Sequence, residues 1–229
     1  MNSFPARARL CLAIATTVVG LSLSVAAQAF AQKTARPSVS ASEAAAMAKA
    51  RSDSAQYPYT NADVDFMTGM IAHHAQAIVM SRMAPTHGAS KSVRILAERI
   101  INAQQDEIAT TQMWLRDRSK PVPDPDAKGM QMPMSGGMHE ILMPGMLTPA
   151  QMKQLDAARG KEFNKLFLSS MIRHHQGAVQ MVADLFDTNG AAQDQTIFKF
   201  ASDVNADQTT EIARMQRMLG AQTPGSHSP

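Results

Sequence analysis

An uncharged apolar run covers residues 10–27, preceded by Arg7 and Arg9 and followed by Ala27-Gln28-Ala29 and Ala29-Phe30-Ala31. A basic start, a short apolar stretch and a small-x-small cleavage site make up a secretory signal peptide, and the run is short for a membrane span. Residues 1–31 are therefore expected to be removed on export to a periplasm or beyond, leaving no membrane span. Residues 32–59, rich in Ala, Ser, Lys and Gln, read as a linker with room for a short helix over 42–51.

From residue 60 the apolar positions take up helical spacing. Thr60-Asn61-Ala62-Asp63 offers side-chain caps for a helix that stops before Pro85. A second helix is expected over 90–118, where Val93, Leu96, Ala97, Ile100, Ile101, Gln104, Ile108, Thr111 and Leu115 recur at steps of three and four. Residues 119–147 read as a loop, stiffened by Pro121, Pro123 and Pro125 and then rich in Met, Gly and Pro. Thr148-Pro149-Ala150-Gln151 restarts a helix with a cap, an N1 proline and a capping-box Gln. Gly160 breaks or bends it, the pattern continues from 163 to 188, and a last helix spans about 192–219 before Gly220 and a polar tail at 221–229. No long stretch alternates with period two, so the expected class is all-α.

The most informative feature is an internal repeat. Phe66-Met67-Thr68-Gly69-Met70-Ile71-Ala72-His73-His74-Ala75-Gln76-Ala77-Ile78-Val79-Met80 returns as Phe167-Leu168-Ser169-Ser170-Met171-Ile172-Arg173-His174-His175-Gln176-Gly177-Ala178-Val179-Gln180-Met181, with seven of fifteen positions identical. Gln104-x-x-Glu107-Ile108 is likewise echoed by Gln208-x-x-Glu211-Ile212. Two helical hairpins so related predict a pseudo-symmetric four-helix bundle over residues 60–220. On a helical wheel His74 sits at the centre of an apolar stripe and His73 on its shoulder. Positions 72/173, 75/176 and 79/180, which differ between copies, are expected to point largely away from the core.

Charge narrows the function classes. Two of the 22 basic residues and none of the 19 acidic ones fall within residues 1–31, leaving 20 against 19 and no case for nucleic-acid binding. The single cysteine, Cys11, lies inside the expected signal, so the exported chain has no disulfide, thiolate metal site or cysteine nucleophile. It has 17 methionines after Met1 instead. Met fills cores, and its thioether is also a soft ligand.

Two adjacent histidines, present twice and flanked by Met, point to metal binding, because leucine would pack a core at lower cost than buried imidazole. The candidate ligands are Met70, His73, His74 and Met80 with Met171, His174, His175 and Met181. Neighbouring residues on a helix diverge, so one His of each pair is expected to ligate beside Met at i−4 or i−3, while the other faces a neighbouring helix or solvent. The methionines serve equally well as packing. Glu107 and Glu211 are candidates to accept the second imidazole N–H, with surface or capping roles as the alternative. A second candidate site is the Met130, Met132, Met134, Met138 and His139 segment, a soft-metal trap without an oxidisable thiol.

Thioether beside imidazole favours copper, Cu(I) ahead of Cu(II), with zinc a weaker candidate. No Glu-x-x-His or His-Glu-x-x-His pattern supports a di-iron centre or zinc hydrolysis.

The paired Phe-x-x-x-Met-Ile-x-His-His-x-x-Ala-[Ile/Val]-x-Met motifs, the Gln-x-x-Glu-Ile echoes and Met143-Pro144-Gly145-Met146-Leu147 together resemble the DUF305 family over residues 63–219. The resemblance implies a ferritin-like four-helix bundle, copper binding and copper tolerance. Leu168 stands where the first copy has Met67, so the two halves need not be equivalent.

The leading expectation is an exported, non-catalytic copper buffer or chaperone that passes its ion to an efflux or oxidase partner. A ferritin-like redox enzyme would show metal-dependent oxygen turnover. A partner-binding module would show pH-dependent association without metal. Oligomeric state is not legible.

Overall fold

The computed structural model describes residues 40–54, 58–125, 129–134 and 137–221. The expected signal peptide lies outside the described residues, as does the tail beyond Ala221. The expected linker contains α1 (Ala41–Ser54), an alanine-rich helix whose described side chains are exposed. It straddles two compact units, Met1–Met47 and Ala48–Pro229, and the remaining elements belong to the second.

These are α2 (Asn61–Arg82), α3 (Lys91–Asp117), a hairpin of β1 (Met130–Met134) and β2 (Gly137–Ile141), α4 (Pro149–Ala157), α5 (Gly160–Asp187) and α6 (Gln195–Gly220). The class is all-α, with the hairpin as the one extended feature among the described residues. α2 packs on α3 and α5 on α6, and the two helical pairs meet along α2 and α5. Among the described residues no helix is long and apolar enough to cross a membrane.

The helix starts follow the sequence signals. Thr60 and Asp63 form a capping box on α2, and Thr148 and Gln151 form one on α4, each satisfying backbone donors that the first turn leaves open. Asp63 does more than cap. Its second oxygen accepts the Ala192 amide at 2.7 Å, tying the start of α2 to the turn before α6. Asp194, fully buried, caps α6 and also accepts from Trp114 Nε1 and the Arg118 guanidinium.

Two apolar clusters fill the interior. One gathers Phe66, Met70, Ile71, Trp114, Val182, Ile197 and Phe200; the other gathers Met80, Leu96, Phe163, Phe167, Leu168, Met171 and Met215. On α5 the histidine pair falls between the residues given to each cluster. On that helix the imidazoles therefore sit where the two apolar halves join.

Two expectations need correcting. Residues 119–147 are not all loop: Met-x-Met-x-Met alternates with period two, and Met130–Met134 pairs antiparallel with Gly137–Ile141. Only five residues long, the alternation is hidden by its glycines and prolines. Second, Ala72 and Ala75 do not point away from the core; they are buried, at 7% and 5% exposure. Residues 142–147 lie over that face of α2, with Met143 and Met146 buried against Ala72. On α5 the matching positions, Arg173 and Gln176, are exposed. The small-for-polar difference between the copies marks where this strap lies.

Candidate metal centre

All four repeat histidines are fully buried. Where α2 crosses α5, the rings of His73 and His174 lie against each other, 3.9 Å between centroids and tilted by 41°. His74 flanks His73 at 6.2 Å, and His175 flanks His174 at 6.3 Å. At the outer ends His175 Nε2 donates to Glu211 Oε2 at 2.8 Å, while His74 Nε2 lies 3.0 Å from Glu107 Oε2, within ion-pairing distance but off the best hydrogen-bond direction. The order is thus Glu107, His74, His73, His174, His175, Glu211, a palindrome about the repeat axis. The two glutamates stand where an acceptor for the outer imidazoles was expected.

The inner pair breaks the symmetry. His73 Nε2 donates to the Pro144 carbonyl at 3.0 Å, which leaves the lone pair on Nδ1. His174 makes no hydrogen bond of good geometry through either nitrogen, and the His73 backbone acts only weakly on its ring. With Nδ1 of His73, His74 and His175, at least five ring nitrogens are buried without hydrogen bonds. His87 gives the contrast: its Nδ1 pairs with Thr86 Oγ1 at 2.9 Å and its Nε2 with the Asp156 carbonyl at 2.9 Å. That is how a histidine buried for structure is satisfied. A buried polar atom left unpaired costs about 1–3 kcal/mol, so the central row is expensive as packing and suited to an electrophile.

Burial pushes the His73 imidazole down to about 3, helped by the charge of His74, and holds His174 well below the usual histidine range for the same reason, with His73 adding. Both rings are therefore neutral, the form a metal needs. For the metal-free protein this sets a pH dependence. The unfolded chain takes up a proton on each histidine near pH 6.5, whereas the folded chain refuses it. Stability is then flat above about pH 6.5 and falls below it by up to about 1.4 kcal/mol per pH unit for each of the two groups. For His73 the loss continues down to about pH 3. Urea unfolding of the apo protein between pH 8 and 5 checks this; a flat profile would contradict the burial of neutral rings.

The methionines divide. Met70 and Met171 are fully buried, one turn before His74 and His175 on the same helix face. Met80 is buried among the Phe163 and Phe167 cluster, about 10 Å of helix rise beyond His73. Met181 is partly buried and packs against the cluster of Ala72, Met143 and Met146. In the hairpin, Met132 pairs in register with His139, Met130 with Ile141 and Met134 with Gly137. The side chains of Met130, Met132, Met134, Met138 and His139, the second candidate ligand set, lie outside the described residues.

The sequence did not reveal how the strap is held. Gln76 clamps Leu147 from both sides, its Nε2 donating to the Leu147 carbonyl at 2.9 Å and its Oε1 accepting the Leu147 amide at 2.6 Å. Gly145 has φ +79°, and a Cβ there would lie 2.9 Å from Gly177 Cα. Gly177 is the repeat counterpart of Gln76. One strap crosses two copies, so one copy supplies the clamp and the other the clearance. The mismatch at this motif position was the available signal.

Among the described residues no three His, Cys, Asp or Glu side chains converge as a ready-made cage. The four rings are gathered at the crossing of α2 and α5, and the inner two are neutral.

A search among curated proteins found no match. Solved structures do match. A DUF305 fragment from Deinococcus radiodurans is 27% identical with a TM-score of 0.59, over 72% of this chain and 99% of its own. A candidate secreted DUF305 protein from Streptomyces coelicolor is 28% identical at 0.58, over 72% and 98%. CopM in its Cu(II)-bound form is 28% identical at 0.55, over 70% and 97%; it is also known in Cu(I)-bound and silver-bound forms. The family model described as a domain of unknown function, DUF305, matches residues 63–219, and the chain belongs to that family.

Proposed function

We propose that the protein is a copper carrier or buffer outside the cytoplasm, taking Cu(I) in preference to Cu(II) as cargo and carrying out no catalysis on it. The observation behind this reading is the central row of four buried imidazoles with at least five ring nitrogens lacking hydrogen bonds. Met70 and Met171 add soft donors one turn away. Glu107 and Glu211 hold the outer rings and fix which nitrogen faces inward. The hairpin residues Met130, Met132, Met134, Met138 and His139 act as the outer capture point, and an efflux or oxidase protein receives the ion.

CopM's copper-bound and silver-bound forms support a soft cation as the cargo. The expected signal at residues 1–31 supports export. The test is competition of the mature protein for Cu(I) against a calibrated chelator, with His73, His74, His174 and His175 each replaced by Ala. Binding well below micromolar, weakened by those replacements, is expected. Affinity near 1 μM or weaker, about −8 kcal/mol, and unchanged in the variants would end the proposal.

A further inference from the structure

Met143 and Met146 are buried with Ala72 of α2, outside the histidine row, and Met181 packs against that cluster. Two come from the strap and one from α5. We propose that they form a separate three-thioether site for a monovalent soft cation, on the strap and outside the buried imidazoles. The inference shares with the proposed function the premise of a soft cargo but uses different donor atoms.

Three observations carry it. First, the strap is fixed rather than draped. Pro144, between the two methionines in sequence, accepts from His73, and Leu147 is clamped by Gln76. A thioether set on a held backbone loses less freedom on binding than one on a loose loop. Second, the repeat assigns Met80 and Met181 to the same motif position but the fold treats them differently. Met80 is sealed inside an apolar cluster, whereas Met181 keeps part of its surface open beside the strap. A packing methionine has no need of that opening; an entry site does. Third, the strap begins at Leu142, directly after β2, and passes Met143 before reaching the carbonyl bonded to His73. The two strap sulfurs thus stand within two residues of the backbone that holds the first buried ring.

Three neutral sulfurs suit a d10 ion such as Cu(I) or Ag(I), which accepts low coordination and soft donors. They exclude hard divalent ions, which need oxygen. The thioethers also have no proton to lose.

The probe is Ag(I), added stepwise to the whole protein carrying 13C-methyl methionine and 15N-ring-labelled histidine. The Met143, Met146 and Met181 methyl signals are expected to shift together and saturate with one equivalent. Leucine at all three positions preserves apolar volume and should remove that equivalent while leaving the histidine sites loaded. If the triple variant fails to fold, M181L alone, at the partly open position, should weaken the step at least about tenfold. Shifts at the histidines with the three methyls unmoved would overturn this site and leave the copper-carrier reading intact. Shifts at the three methyls without the histidines would support the site and sink that reading. No shift anywhere would remove both.

Discussion

Replacing His174 by leucine should make the metal-free protein more stable, by about 1–3 kcal/mol, while damaging its metal binding. His174 is fully buried and neither of its ring nitrogens makes a hydrogen bond of good geometry. Leucine removes both unpaired atoms from a site flanked by apolar clusters, and each such atom costs about 1–3 kcal/mol. Loss of the stacked contact with His73 and a small residual void offset part of the gain. For a domain of this size the net shift in Tm is about 2–4 °C per kcal/mol. The same change should weaken Cu(I) binding by at least about 10–100-fold, the loss produced by disturbing a ligand's supporting partner alone. Thermal unfolding and a chelator titration on one preparation give both numbers. If the variant unfolds at a lower temperature than the parent, His174 is a structural residue, and the case for unsatisfied donors fails with it.

Gly177→Ala is expected to act in the opposite direction, as the most damaging single methyl group that can be added. Its Cβ would fall inside van der Waals contact of the Pro144 carbonyl and within 2.7 Å of Gly145 Cα. Both obstacles are backbone, so no side chain can swing aside. Either the helix or the strap must move, at a cost of about 3 kcal/mol, the upper part of the range for overpacking. Displacing the strap also takes the Pro144 carbonyl away from His73, freeing that ring to turn. The readouts are denaturant unfolding and cleavage within residues 142–147 by a dilute protease. Gly220→Ala is the control, because nothing lies within 4 Å of a Cβ there. Equal stability of the two variants would mean that the strap does not rest on Gly177 in solution.

Much of this could be read from the chain before its fold was known, for identifiable reasons. The two capping boxes and the stop before Pro85 are local chemistry, decided within four residues, and they appear at Thr60 and Thr148 as expected. The repeat fixed which positions share a face, so the outer imidazoles and their glutamates could be paired across α2–α3 and α5–α6. What stayed hidden depends on contacts between distant segments. His73 meets Pro144 across 71 positions, and no periodicity reports that. The burial of Ala72 and Ala75 depends on a strap whose path the helical wheel does not contain. The hairpin was missed because its five-residue alternation lies in a stretch whose composition signals a loop.

The strap leaves α2 enclosed on nearly every side: from Phe66 to Met80 only Thr68 and Val79 are not buried, with Val79 37% exposed. Its amide protons should therefore be the slowest in the domain to trade with deuterium, releasing only when the whole domain opens, while those along the uncovered edge of α5 exchange through smaller fluctuations. The two copies of one ancestral motif would then keep time differently, one at the rate of global unfolding and the other at the rate of local breathing.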